Sequence, residues 1–170
     1  MPHLKTLPPP DCHYLSSAIG WAGLGNFEEA EAELELISKE HRRTKEILSL
    51  LWDMKGKNGR WDQAVEIAEE LIVVEPEDPE GWIYRSFSLH ELHRTREAWE
   101  NLVRVANRFS DCWTIPYNLA CYACQLDQLE DARNWILRAM IIEGVEEIRR
   151  RSADDPDLTP LAEEIRTMEP

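Results

Sequence analysis

The sequence predicts an all-α protein in which four helical hairpins follow one another. The first observation behind this prediction is a short phrase ending in alanine that recurs four times at a spacing of 34 residues. The second is that each of these alanines opens a stretch whose apolar residues have the period of a helix. The third is that no stretch of useful length alternates apolar and polar residues, as a half-buried strand would.

The recurring phrase sets the phase of the four predicted repeats. Its copies are Phe27-Glu28-Glu29-Ala30, Trp61-Asp62-Gln63-Ala64, Thr95-Arg96-Glu97-Ala98 and Leu129-Glu130-Asp131-Ala132. Where two antiparallel helices cross next to a tight turn, a small side chain is needed, because a larger one would force the helices apart. Windows placed around the alanines divide residues 11–146 into the repeats 11–44, 45–78, 79–112 and 113–146.

The second helix of each repeat is predicted from an apolar stripe. Apolar residues follow each alanine after four and seven positions, a spacing that lies on one face of a helix. They are Leu34, Ile37, Ala68, Leu71, Leu102, Val105, Ile136 and Ala139. Short polar stretches such as Gly25-Asn26 precede the alanines and predict the hairpin turns. Pro76 and Gly144 predict the ends of the second helices of repeats two and four.

The two ends of the chain are predicted to have different structures. Residues 1–10 form a proline-rich leader that we expect to be extended, and Asp11 is expected to cap the first helix with its carboxylate. Residues 147–170 follow the last repeat, whose outer apolar face must be covered. The stretches 145–151 and 161–168 are therefore predicted to form short capping helices, with a turn at residues 154–157.

The 34-residue period and these apolar columns resemble the tetratricopeptide repeat over about residues 11–146. Residues 113–122 and 154–161 are, more narrowly, similar to short bacterial tetratricopeptide proteins. The resemblance implies a right-handed α-solenoid of four helix-turn-helix hairpins with C-terminal capping helices. It also implies a concave groove that is lined by the first helix of each hairpin.

Repeat two departs from the pattern of this family. The family has a small residue eight positions into each repeat, but this position holds Trp52. The corresponding residues of the other repeats are Ala18, Ser86 and Ala120. Lys55 also replaces an expected aromatic residue one turn later, and the junction at residues 38–44 lacks the usual proline. We therefore expect the first helix of repeat two to be rotated or shifted.

The geometry that the resemblance implies predicts a peptide-binding groove of largely apolar and aromatic character. Its predicted residues are Leu15, Ile19, Ser49, Asp53, Ile83, Tyr84, Phe87, Tyr117, Asn118 and Cys121. Tetratricopeptide domains that bind the acidic C-termini of heat-shock chaperones use lysine and arginine at such positions, and none occurs here. The amide of Asn118 is instead expected to hold a peptide backbone.

The first functional hypothesis is a protein-interaction scaffold that binds a partner protein or peptide in this groove. The second is a small acidic chaperone, similar to the tetratricopeptide chaperones of bacterial secretion. In the third, the groove is filled by residues 1–10 or by a second copy of the chain, and the protein is a structural or oligomerisation module.

Two motifs that could bind a metal are interpreted as structural. Cys121-x-x-Cys124 has no second Cys/His pair at the spacing a zinc site needs, so both thiols are expected to pack in the core. His90-x-x-His93 lies at the end of a predicted helix, where we expect solvent exposure. No phosphate-binding loop, nucleophile elbow or HExxH motif occurs. We therefore expect no catalytic activity, no cofactor and no metal.

The charge of the chain argues against two classes of partner. Lysine and arginine number 19 and aspartate and glutamate 33, which gives a formal net charge of −14. Such a surface repels phosphate backbones and anionic lipids, so nucleic-acid and membrane partners are not expected. Residues 1–10 lack the plan of a signal peptide, and no apolar run is long enough to span a membrane. The expected location is the reducing cytoplasm.

Overall fold

A computed structural model describes residues 7–170, and within this range the regular structure is entirely helical. The α-helices are α1 (Asp11–Gly23), α2 (Phe27–Leu36), α3 (Lys45–Lys57), α4 (Trp61–Val74), α5 (Glu80–Glu91), α6 (Thr95–Val103), α7 (Thr114–Gln125), α8 (Leu129–Glu143), α9 (Val145–Ser152) and α10 (Ala162–Thr167). A 3-10 helix, η1 (Pro156–Leu161), lies between α9 and α10. The prediction of an all-α protein is confirmed. Most of the predicted leader, residues 1–6, lies outside the described residues.

The chain divides into two compact units, with the boundary after Tyr84 inside α5. The first unit contains the hairpins α1–α2 and α3–α4 and the beginning of α5. Its core includes the fully buried side chains of Ala18, Ile37, Ile47 and Met54.

The second unit begins at Arg85 and contains the rest of α5, together with α6 to α10 and η1. Its core includes Leu102, Ile115, Leu119, Ile136 and Met140, each at most 1% exposed.

The four hairpin turns have the same backbone conformation. In each turn, the residue two positions before the second helix has a positive φ, of 75°, 67°, 59° and 58° in chain order. These residues are Gly25, Gly59, His93 and Asp127, again 34 residues apart. The next residue of each turn donates its N–H to the carbonyl five residues earlier, at 2.8–3.0 Å. This bond and a left-handed residue define a Schellman motif, which satisfies the free carbonyls at the end of the first helix.

Each turn leads directly to one of the four repeated alanines. Ala30, Ala64, Ala98 and Ala132 are all 0% exposed. Their backbone N–H groups donate to the carbonyl of the turn residue four positions earlier, at 3.0–3.1 Å. The second helix therefore starts in the same way in all four hairpins, with the alanine in its first turn and completely buried.

The junction between α2 and α3 depends on Asp11, which does not cap α1 as predicted. Asp11 is itself the first residue of α1, and it is only 2% exposed. Its carboxylate accepts hydrogen bonds from the Ser38 N–H at 3.1 Å and the Ser38 hydroxyl at 3.2 Å, and it lies 2.5 Å from His41 Nδ1. A side chain from α1 thus holds the chain between α2 and α3 in place of the missing proline. Ahead of α1, Pro9 and Pro10 form a turn and are not extended.

The two unusual residues of α3 have partners in the first unit. The ring of Trp52 stacks on Tyr84 of α5, with the ring planes parallel and the centroids 3.7 Å apart. Lys55 is 9% exposed, and its ammonium group lies 2.8 Å from Glu31 Oε2 of α2. The departures from the family pattern therefore accompany two specific contacts, one to the preceding helix α2 and one to the following helix α5.

The C-terminal helices bury their apolar side chains in the second unit. Leu158 and Leu161 of η1 are 0% exposed, and Ile165 of α10 is 2% exposed. Burying a leucine or isoleucine side chain stabilises a fold by about 1.5–3 kcal/mol. Arg133 of α8 pairs with Glu164 of α10 through two hydrogen bonds, at 2.5 and 2.8 Å. These helices consequently bury apolar side chains against the rest of the second unit.

Candidate functional site

The predicted groove residues of repeat one lie on α1, and only one of them is accessible. Leu15 is 7% exposed and belongs to the core of the first unit. Ile19, one turn later, is 51% exposed. Of the two predicted residues of repeat one, Ile19 is therefore the one that solvent reaches.

The predicted groove residues of repeat two, Ser49 and Asp53, are half-buried on α3. The carboxylate of Asp53 lies 2.5 Å from Lys57 Nζ, one turn further along the same helix. This ion pair joins two partly exposed side chains and is worth little to stability. The α3 face therefore presents polar groups beside the stacked ring of Trp52.

The predicted residues at the start of α5 form a polar and aromatic cluster in the first unit. Tyr84 packs against Trp52 on one face of its ring, and its hydroxyl donates a hydrogen bond to Glu80. Burial and the neighbouring Glu80 carboxylate raise the pKa of Tyr84, so its hydroxyl remains a donor. Lys45 lies 2.6 Å from Asp78 and 2.7 Å from Glu80, and these hydrogen bonds and charges raise its pKa despite its partial burial. Ile83 is half-buried beside this cluster.

The predicted positions in the second unit are partly covered by the chain itself. Phe87 of α5 is 37% exposed, and Asn118 of α7 is half-buried. Tyr117 and Cys121 of α7, in contrast, are 8% and 5% exposed.

Tyr117 and Cys121 are covered by the segment that follows α9. The Tyr117 hydroxyl donates to Asp155 Oδ2 at 2.7 Å, and Cys121 Sγ lies 3.8 Å from the same oxygen. Burial and the Asp155 carboxylate together raise the pKa of Tyr117, which keeps the phenol protonated as a donor. The chain's own C-terminal segment therefore covers two of the ten predicted groove residues, Tyr117 and Cys121.

His90 is not solvent-exposed at a helix end, and the prediction for this residue is wrong. Its side chain is 15% exposed, with Nδ1 3.0 Å from the Thr95 hydroxyl and Nε2 3.0 Å from Asp157 Oδ2. Its ring also lies 5.0 Å from that of Tyr122. His93 is exposed and forms the hairpin turn, and both histidines line a shallow pocket together with Gln125 and Asp157.

The two cysteines of α7 lie in the core of the second unit. Cys121 and Cys124 are 5% and 3% exposed, and neither forms a disulfide. Burial raises the pKa of Cys121 well above its usual value and that of Cys124 to about 11, and the nearby aspartates add to both shifts. A thiol that stays protonated is a poor nucleophile and a poor metal ligand. Among residues 7–170, no group of three or more His, Cys, Asp and Glu side chains has the geometry to hold a metal ion.

The sequence did not predict the contacts of Asp155 with Tyr117 and of Asp157 with His90. The sequence places the two aspartates in a turn between capping helices and gives no indication that they reach α5 and α7. Their partners lie 38 and 67 residues away in the sequence. No regular spacing connects residues so far apart, so this contact could be found only in the folded structure.

The repeated hairpins, their buried alanines and their Schellman turns define a tetratricopeptide-type fold. A thermophilic tetratricopeptide protein of Thermus thermophilus superposes with a TM-score of 0.65 at 16% identity, over 92% of this chain and 95% of that one. A double mutant of MamA from strain RS-1 gives a TM-score of 0.66 at 13% identity, over 86% and 79%. The predicted fold class is confirmed by these structures.

A further solved structure is the type III secretion translocator chaperone SycD of Yersinia enterocolitica. It gives a TM-score of 0.53 at 15% identity and covers 74% of this chain and 89% of that one. No protein-family model matches the sequence, and no curated protein matches it either. In residues 7–170, no helix combines the length and the apolar character that crossing a membrane requires.

Proposed function

We propose that this protein is an interaction scaffold whose first helices bind an extended peptide segment of a partner protein. The observation that carries the proposal is the exposure of large apolar side chains at predicted groove positions. Ile19 in the first unit is 51% exposed and Phe87 in the second is 37% exposed. Stacked helical repeats use their concave surface to bind partners, and an apolar side chain exposed on a first helix offers area that a partner can bury.

The chemistry of these positions favours a peptide with apolar side chains. Phe87 offers a large rigid surface at a small cost in conformational entropy. Asn118 supplies an amide that can both donate to and accept from a peptide backbone. None of the ten predicted residues is basic, and the chain carries a net charge of −14, so a strongly acidic peptide is not favoured at Ile19 and Phe87.

The runner-up is a small chaperone that holds an apolar stretch of an unfolded protein. The observation that favours it is the likeness of the fold to a secretion translocator chaperone, with a TM-score of 0.53. A chaperone of this kind would prefer an unfolded client to a short isolated peptide, whereas a scaffold would bind the short peptide alone.

The proposed setting is the cytoplasm, and the proposed activity is binding without catalysis. All four cysteines are free, which suits a reducing compartment. Cys121 and Cys124 are buried and keep raised pKa values, so the motif that most resembles a reactive site lacks an accessible thiolate.

The proposal is tested by selecting peptides from a display library with the full chain. We expect enrichment of peptides that carry apolar residues. Ile19→Asp should weaken peptides that bind the first unit, and Phe87→Asp those that bind the second, each by about tenfold or more, because each places a charge against an apolar contact. Binding is measured by fluorescence anisotropy with the enriched peptides.

The matched control is Leu36→Asp, which adds the same charge to a residue of α2 that is 58% exposed but lies on a second helix. It should leave the affinity unchanged. If no peptide is enriched, or if Leu36→Asp weakens binding as much as the other two variants do, the first helices are not the binding surface.

A further inference from the structure

The second unit already holds a segment with the features of a bound ligand. Residues 155–161, here called the docked segment, lie on α7, where Asp155 contacts Tyr117 and Asp157 contacts Gln125 of α7 and His90 of α5. Three of the contacted residues, Tyr117, Cys121 and Gln125, are spaced by four and therefore share one face of α7. Tyr117 and Cys121 are also positions at which the sequence predicts a partner peptide.

The contacts recognise both side chains and backbone of the docked segment. Asp155 accepts from the Tyr117 hydroxyl at 2.7 Å, and Asp157 Oδ2 lies 3.0 Å from His90 Nε2. The amide of Gln125 donates to the carbonyl of Asp157 at 3.3 Å. A tyrosine hydroxyl, a histidine ring nitrogen and a glutamine amide can all donate to carboxylate or carbonyl oxygens.

An apolar anchor follows the two carboxylates directly. Leu158 is 0% exposed, and Leu161 at the end of η1 is also 0% exposed. Two aspartates two residues apart, followed at once by a buried leucine, describe the chemistry that this face of the second unit accepts. The two carboxylates are partly exposed, and their hydrogen bonds fix the direction and register of the docked segment. The leucines supply the buried apolar area.

We propose that this face is a receptor for an acidic segment with a leucine anchor, and that the docked segment is its built-in occupant. A partner segment of the same chemistry binds there only by replacing residues 155–161, which makes the C-terminal part an autoinhibitory contact. The idea rests on the proposed function, since it assigns a partner class to the predicted positions Tyr117 and Cys121.

The exchange is tested with a fluorescein-labelled peptide of residues 153–168 and the full chain carrying Leu158→Ala. The variant weakens the internal segment by emptying a buried position, while the added peptide keeps its leucine. We expect the variant to bind the peptide at least about tenfold more tightly than the wild-type chain, a difference of about 1.4 kcal/mol. A peptide with the Leu158→Ala change is the matched control and should not bind.

A further variant shows whether the bound peptide occupies the proposed face. Adding Tyr117→Phe to the Leu158→Ala chain removes only the hydroxyl that donates to Asp155. This second substitution should lower the affinity for the peptide several-fold. If the folded Leu158→Ala chain does not bind the peptide, or binds it equally with Tyr117→Phe, the receptor assignment is overturned.

Hydrogen exchange of the wild-type chain gives a second test that needs no variant. Amides of residues 156–167 should exchange through a local opening that is insensitive to low denaturant, while those of α7 exchange only through global unfolding. If both groups exchange only by global unfolding, the segment is a permanent part of the core and the proposal fails. Peptides selected through Ile19 or Phe87 would survive that result, so the two proposals can fail separately.

Discussion

Two helical glycines of the first unit differ in the space around them. A Cβ atom added to Gly81 of α5 would lie 2.9 Å from the backbone N of Ile72 and 2.9 Å from its Cγ1, both in α4. Backbone atoms cannot move aside cheaply, so the close approach of α4 and α5 depends on the missing side chain. A Cβ atom added to Gly20 of α1 would have nothing within 4 Å.

We expect Gly81→Ala to lower the free energy of unfolding by about 1–3 kcal/mol, because the overpacking outweighs the better helix propensity of alanine. Gly20→Ala is the matched control and should raise it by about 0.5–1 kcal/mol. Urea denaturation followed by circular dichroism measures both. Equal stabilisation by the two substitutions would show that α4 and α5 are not packed as closely as described.

Two of the four hairpin turns use a residue that is strained in the left-handed region. Asp127 has a φ of 58° where the first two hairpins have glycine. We expect Asp127→Gly to stabilise the chain by up to about 1 kcal/mol, since glycine adopts this conformation without the clash of a Cβ atom.

Replacing a glycine in the same conformation should have the opposite effect. Gly59→Ala, at a φ of 67°, should lower the free energy of unfolding by about 1–2 kcal/mol. Thermal unfolding of the two variants and the wild type provides the comparison. A loss of stability in Asp127→Gly would mean that the aspartate side chain makes a contribution larger than the strain.

At the scale of the helical hairpin, the repeated alanines are the residues that bring two helices together. Ala98 is 0% exposed in the first turn of α6. We expect Ala98→Leu to overpack this hairpin and to lower the free energy of unfolding by about 1–3 kcal/mol. The control is Ala32→Leu, on the exposed face of α2, which should change it by less than about 0.5 kcal/mol. An unchanged denaturation midpoint for Ala98→Leu would contradict the close packing.

The junction between α2 and α3 should make the free energy of unfolding depend on pH in the acid range. The hydrogen bond with His41 lowers the pKa of Asp11, and the bonds from Ser38 act in the same direction, although burial opposes them. A carboxyl group whose pKa is lowered by folding stabilises the fold above its unfolded pKa. This contribution disappears as the pH falls below about 4 and through the lowered folded value.

We therefore expect Asp11→Asn to have a lower Tm than the wild type at neutral pH, with the difference shrinking in acid as the wild-type carboxylate is protonated. Thermal unfolding between about pH 2 and pH 7 would measure this convergence. A constant difference in Tm over the whole range would exclude a role for the Asp11 charge.

These elements show which parts of the structure the sequence could predict. The alanines, the turns and the apolar stripes are local patterns with a fixed period, so residues such as Ala98 and Gly59 indicate their own environment. Asp11 and Ser38, in contrast, are 27 residues apart, and Asp157 and His90 are 67 apart. Contacts of this kind depend on how helices pack, and the local sequence around a polar residue in a turn does not identify its distant partner.

The predicted groove shows the same division. The helix faces of α1, α5 and α7 follow from the phase of the repeat, which is why Ile19 and Phe87 are correctly expected on first helices. Whether such a face is open depends on the rest of the chain, and Tyr117 is buried because residues 155–161 lie over it. The departures at Trp52 and Lys55 are recognisable from the sequence, but their partners Tyr84 and Glu31 are not.

At the scale of the whole molecule, the charge and the fold together limit the partners. The net charge of −14 disfavours nucleic acids and anionic membranes. Exposed apolar side chains occur on first helices, such as Ile19 and Phe87, and also on second helices, such as Val73 and Ile141. The acidic residues of the recurring phrases, such as Glu28 and Glu130, lie on second helices. The partner we propose, a protein segment with apolar side chains, is compatible with both the charge and the exposed side chains.

The most direct measurement is a titration of the ¹⁵N-labelled full chain with a selected peptide, followed by NMR. The account predicts that the amide resonances that move will cluster on first helices, around Ile19 of α1 for a peptide that binds the first unit or around Phe87 of α5 for one that binds the second. Movement confined to second helices, around the exposed residues Val73 of α4 and Ile141 of α8, would contradict it. So would unchanged amide resonances at saturating peptide.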